Sequence, residues 1–218
     1  MRTLAIALIL LSAAPAMAMA PMRPRPVAWT CESADAFQKL GQAAALRGQK
    51  QFPQATAQIA LLSPADRANR HAQYASALIA IDQNATGSPA LTAAVTDLAR
   101  MADAMPDYVQ LSPPQRACAE TAKLYSVFNT LGVEYTQLGD RAAAERYFLR
   151  GEANAAALAP DSRSKLEYNL GIFYTGQLDL KKASYHYGLA KTPAALTQQH
   201  VLEKAQSFAP VQAQAPRN

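Results

Sequence analysis

Two stretches decide how this chain reads: Phe128-Asn129-Thr130-Leu131-Gly132-Val133-Glu134-Tyr135 and Glu167-Tyr168-Asn169-Leu170-Gly171-Ile172-Phe173-Tyr174. Aligned on Gly132 and Gly171, a leucine precedes each glycine and a tyrosine follows three residues on. Twelve residues after each glycine stands Ala144 or Ala183. Sixteen after comes a ring, Phe148 or Tyr187, and nineteen after a small residue, Gly151 or Ala190. Five matched offsets at a spacing of 171 − 132 = 39 residues describe an internal repeat. A glycine lets two antiparallel helices approach closely, and a small alanine leaves room for the tyrosine ring. The second ring is expected to fill the gap between successive hairpins.

This order resembles the tetratricopeptide repeat, whose signature is W-x2-L-G-x2-Y…A-x3-F…P. Phe128 takes the tryptophan slot in the first copy, and Glu167, a departure from the pattern, takes it in the second. The family repeat is about 34 residues. The surplus here is expected in 151–161, where Pro160 comes late, while Pro193 comes early in the second copy. The resemblance covers roughly residues 122–191. It implies an all-α fold, a right-handed α-α superhelix of stacked antiparallel helix hairpins. A weaker copy lies upstream, where Phe37, Leu40, Gly41, Gly48, Ala55 and Ile59 keep the same order and Pro64 closes it. Residues 64–104 would form a further degenerate hairpin. Residues 33–110 therefore read either as degenerate repeats or as an unrelated helical cap, ahead of repeats over 111–207 that end in a capping helix.

Working outward, helix starts are legible without the repeat. Ser63-Pro64-Ala65-Asp66 offers a capping serine, a proline at the first helical position and a carboxylate in the first turn. Ser88-Pro89, Ser112-Pro113 and Thr192-Pro193 repeat the device, and Pro160-Asp161-Ser162 opens another helix. Apolar residues recur at helical spacing, as in Phe37, Leu40, Ala44 and in Leu91, Val95, Leu98. The punctuation predicts nine helices, over 34–47, 53–62, 64–82, 89–104, 113–137, 140–157, 161–176, 179–191 and 193–207. Composition agrees: 48 of 218 residues are alanine, the best helix former, and nine are glycine. Half the chain is hydrophobic and only 17 % charged, which excludes a disordered polymer.

The ends read differently. Met1-Arg2-Thr3, an apolar run from Leu4 to Leu11 and Ala16-Met17-Ala18 have the layout of a secretory signal peptide cut near Ala18. The run is shorter than the roughly 20 residues that span a bilayer. Seven of the alanines fall between Ala5 and Ala20 and belong to this signal. Residues 19–32, rich in proline, are expected to form an extended tether, and 208–218 a disordered tail. The expected address is the periplasm or beyond it. In that oxidising compartment Cys31 and Cys118 are expected to form a disulfide enclosing 118 − 31 − 1 = 86 residues; the other reading is two separate buried thiols.

Function is read from the first helix of each pair, which this family presents on a concave surface. Asn129, Val133 and Thr136 share one stripe, and Lys165, Tyr168, Ile172 and Thr175 another. Such a groove suits an extended peptide or a partner helix. The expected role is a protein-binding adaptor or scaffold of the cell envelope. The rival readings are an envelope enzyme with a small-molecule pocket and a self-assembling structural protein. Of the three histidines, His71 and His186 have no ligand at i+3 or i+4 and His200 has only Glu203, and no nucleophile or phosphate-loop motif occurs. The expectation is therefore no catalytic residue, no metal and no cofactor. Without Arg2 the mature chain carries 20 − 16 = +4 charges, which implies at most weak contact with anionic envelope surfaces. No aromatic-basic interleaving points to nucleic acid, and no later segment is apolar enough to be an integral membrane span.

Overall fold

The computed structural model describes residues 31–208. The expected signal peptide, nearly all of the tether and the tail from 209 lie outside the described residues. Within them the chain is helical, with no strand. The helices are α1 (Ala34–Gly48), α2 (Phe52–Ala60), α3 (Pro64–Arg67), α4 (Arg70–Gln83), α5 (Pro89–Asp103), α6 (Pro113–Thr121), α7 (Val127–Gln137), α8 (Arg141–Ala153), α9 (Pro160–Gly176), α10 (Leu180–Ala190) and α11 (Pro193–Phe208). None is long and apolar enough to cross a membrane.

The starts follow from side-chain chemistry. Ser63 and Ser88 accept the backbone N–H groups of Asp66 and Leu91, each at 3.1 Å, ahead of Pro64 and Pro89. Thr192 does the same for Ala195 ahead of Pro193. Asp140 and Asp179, at the same repeat offset, cap α8 and α10 through the N–H groups of Ala143 and Lys182. Each satisfies a donor that the first helical turn cannot pair internally.

Short connections make the pairs α1/α2, α4/α5, α7/α8 and α9/α10, and each pair packs on the next, with α11 laid on α10. In three places a helix expected to be continuous is interrupted. The 64–82 span breaks between α3 and α4, after Ala68, whose N–H turns back to Pro64. The 113–137 span breaks at Lys123, which adopts left-handed backbone at φ 52°. A 3-10 turn, Leu124–Ser126, then leads into α7. α8 ends at Ala153 and is followed by a 3-10 turn at Ala155–Ala157.

Three cores result. The largest joins α4, α5 and α7 through Ile81, Val95, Leu98, Leu124, Phe128 and Leu131. The second joins α8 to α11 through Phe148, Leu166, Leu170 and Tyr187. The third, small and rich in alanine, holds α1 and α2 against α4 through Leu40, Ala43, Ala55 and Ile59. Cys31 and Cys118 lie at disulfide distance with Cα atoms 5.5 Å apart, tying the chain just ahead of α1 to α6. Cys118 adjoins Ala119 of the largest core, so this link fastens the smallest core to the largest.

The ring sixteen residues after the first repeat glycine reaches the next hairpin, Phe148 meeting Phe173 with centroids 5.5 Å apart, and both repeat rings also lie on their own glycine. Phe148 lies on Gly132, and Tyr187 on Gly171, within the same hairpin. Only glycine leaves space there for an aromatic face. The tyrosine of each repeat stacks on the ring fifteen residues after the glycine: Tyr135 on Tyr147 at 5.5 Å between centroids, and Tyr174 on His186 at 5.4 Å.

Candidate functional site

A cavity of about 490 Å³ opens against the first helix of every pair. α1 contributes Phe37, Leu40 and Ala44; α4 contributes His71, Tyr74 and Leu78. The opposite wall is the end of α6 and the following turn, with Ala122, Lys123 and Ser126, then Asn129 and Thr130 of α7 and Lys165 of α9. A volume of this order lies within the ordinary range for ligand pockets. Gly41 faces it: a side chain added there would meet nothing within 4 Å.

The lining is electrostatically one-sided. Its charged residues are Arg47, Lys123 and Lys165, with no aspartate or glutamate. Arg47 is partly neutralised by Asp82 at 3.3 Å. Lys123 and Lys165 take part in no ion pair among the described residues. The Tyr74 hydroxyl pairs with that of Thr130 at 3.3 Å. Burial pushes its pKa above the ordinary tyrosine value, so it remains neutral. His71 Nδ1 is buried with no hydrogen-bond partner, 3.6 Å from Glu32 Oε1.

The residues singled out for a groove separate. Asn129 and Lys165 line the cavity. Asn129 is held by Asn169, whose Nδ2 donates to its Oδ1 at 2.9 Å. Val133 is half-buried against the second core. Thr136 donates its hydroxyl to the Gly132 carbonyl at 2.7 Å. The Tyr168 ring packs on Tyr187 at 5.7 Å, and Ile172 is exposed. These four do not line the cavity. α1 and α4, which carry most of the apolar lining, lie outside the two clear repeat copies from which the stripe is read. Lys123 was missed because nothing in the sequence marks a left-handed lysine in the middle of a helical span.

A second cluster escaped sequence reasoning altogether. Glu167 and His186 are both buried, with His186 Nδ1 and Glu167 Oε2 2.9 Å apart. The half-buried Glu152 joins them, and one ligand atom of each lies within 4.8 Å of the other two. α8, α9 and α10 each supply one residue. Tyr174 stacks over His186 and donates its hydroxyl to Glu145 at 3.0 Å. Lys182 sits 4.6 Å above the Tyr174 ring. Burial first, then Glu145, raises the Tyr174 pKa. The available signal was the repeat alignment itself. Glu167 and His186 occupy the offsets that Phe128 and Tyr147 fill in the first copy.

Comparison with protein-family models, with curated proteins and with solved structures gives no match for this chain.

Proposed function

We propose that this chain is an exported binding adaptor of the tetratricopeptide type, with its hairpins arranged as a right-handed superhelix. Its cavity takes a segment of a partner protein bearing an acidic group beside an apolar side chain. The observation that carries the reading is the lining: the first helices of successive pairs, apolar at Leu40, Ala44 and Leu78, with two lysines that form no ion pair and no acid among the described residues that line it. An apolar wall with a few placed charges recognises a side chain and fixes its orientation. The enzyme reading would need converging acid and base groups in the same space. His71 is there, with the Glu32 carboxylate 3.6 Å from its Nδ1, but no aspartate or glutamate is among the described residues that line the cavity itself. The Cys31–Cys118 pair is compatible with an oxidising compartment.

The test is a photo-crosslinking side chain placed at Ser126 in the cavity and, separately, at Arg100 outside it. A specific adduct is expected from Ser126 alone. It is expected to vanish when Gly41→Leu fills the cavity and Lys165→Glu reverses its charge, with helicity unchanged. Adducts that survive both changes, or that form equally from Arg100, overturn the reading.

A further inference from the structure

The geometry points to a binding site for a divalent first-row transition ion at Glu152, Glu167 and His186, on the junction of α8, α9 and α10. Three observations lead there. The donor set is two carboxylates and an imidazole, with one ligand atom of each within 4.8 Å of the others. Ligands on one tetrahedral zinc ion at bond lengths near 2.1 Å stand roughly 3.4 Å apart. The cluster thus needs only small side-chain adjustments to close on an ion.

Burial is the second observation. Glu167 is 2 % exposed and His186 5 %. A buried carboxylate facing one imidazole and a second carboxylate is a net negative site in a poorly solvated place. The nearby Glu145 is offset by its own ion-pair partner, Lys182, at 3.7 Å. A dication balances such a site where a single imidazolium does not.

The repeat supplies the third. At the same offsets the first copy holds Phe128 and Tyr147, both within one apolar core. The hairpin therefore packs with two aromatic residues at these positions. A buried charged pair is commonly no more stable than the apolar pair that could replace it. Both positions of the second copy depart together, to a carboxylate and an imidazole, and together they build a donor set. The mixed oxygen and nitrogen ligands favour zinc and its neighbours over calcium or magnesium, which prefer oxygen alone. No thiolate competes, since the described cysteines are paired.

The experiment uses the mature protein with its disulfide intact, stripped with a chelator and dialysed against zinc chloride at neutral pH. Uptake of one equivalent is expected, with a rise in Tm that grows with zinc concentration. Glu152→Gln, a change at the half-buried edge, is expected to lower affinity roughly 10–100-fold. The double variant Glu167→Phe, His186→Tyr restores the pair of the first copy and is expected to keep the helical circular dichroism while binding no ion. His200→Gln, at an exposed histidine of α11, is expected to leave uptake unchanged. No stoichiometric uptake by the unaltered protein overturns the site. So does undiminished affinity in Glu152→Gln, an outcome that stands even if the double variant fails to fold.

Discussion

The ring of Phe148 lies against the backbone of Gly132, so that a Cβ added to the glycine would stand 2.5 Å from Cε1 and 2.6 Å from Cγ. Gly171 and Tyr187 repeat the contact in the next hairpin, with a Cβ 2.5 Å from ring carbons. The repeat is thus a specification for helix approach, written as one missing side chain and one ring.

Gly132→Ala measures it. Alanine favours a helix interior by about 1 kcal/mol over glycine. Overpacking a filled core costs about 1–3 kcal/mol. The ring here is buried and closely packed, so the clash wins and a net loss of up to about 2 kcal/mol is expected. Gly41→Ala is the matched control. It also lies in a helix, α1, but its added methyl enters open space, so a gain of about 0.5–1 kcal/mol is expected. Urea unfolding of the two variants against the parent should move the midpoint in opposite directions. A shift of the same sign in both would remove the close-approach argument.

The turn between the two helices of each repeat carries a second comparison. Gly139 and Leu178 occupy the same offset, and both adopt left-handed backbone, at φ 81° and 61°. Only one of them is glycine. A residue with a Cβ loses roughly 1–2 kcal/mol in this conformation. Leu178 recovers nothing through burial, since it is 83 % exposed. Leu178→Gly is therefore expected to stabilise the protein by about 0.5–1 kcal/mol, the greater freedom of unfolded glycine offsetting part of the relief. Thermal unfolding checks it, and a lowered Tm would show that the leucine holds a contact worth more than its strain.

How much of this was legible follows from which forces are local. Ser63, Ser88 and Thr192 announce their helices because a cap acts within three residues. The glycine-to-ring spacing is readable because both partners lie in one hairpin. The break at Lys123 was not, since a lysine in left-handed backbone is imposed by the packing of Leu124 and Tyr125 into the core and has no local signature. The cavity was half legible: Asn129 and Lys165 belong to the two aligned copies, whereas His71 and Tyr74 come from α4, where no clear copy aligns. Glu152, Glu167 and His186 meet across three helices, and a search for ligands at i+3 or i+4 cannot see them.

The cysteine pair joins residues 87 apart in sequence. The chain-entropy model assigns a link of that span about 4–5 kcal/mol, an upper figure. Its effect should be local, because the helices it fastens hold the smallest core, with Ala36, Ala43, Ala55 and Ala72 making half of it. Reduction is expected to raise amide exchange across 34–62 well before it raises exchange in 127–190. Cys118→Ser should reproduce that pattern in the absence of reductant. Uniform loss of protection along the chain would mean that the link supports the fold as one unit.

Alkaline pH should find the buried tyrosines. Tyr125, Tyr147 and Tyr174 all have pKa values raised by burial, which disfavours the phenolate. At Tyr147 the carboxylate of Asp103, accepting its hydroxyl at 3.2 Å, adds to the shift. In the unfolded chain these groups ionise near the ordinary value of about 10. Above that pH the unfolded state has released protons that the folded state still holds, so stability falls as pH rises. Below it both states are protonated and the term vanishes. The protein is therefore expected to keep a level Tm from pH 7 to about 9.5 and to lose it steeply beyond about 10. Tyr147→Phe removes one titrating group and one hydrogen bond together. It should lower Tm at pH 7 by the equivalent of about 1 kcal/mol and make the alkaline fall shallower. Brief exposure at each pH, with free thiol assayed alongside, keeps disulfide loss separate from titration. An alkaline slope identical in the variant and the parent would show that Tyr147 ionises in both states alike, and that its burial does not govern the transition.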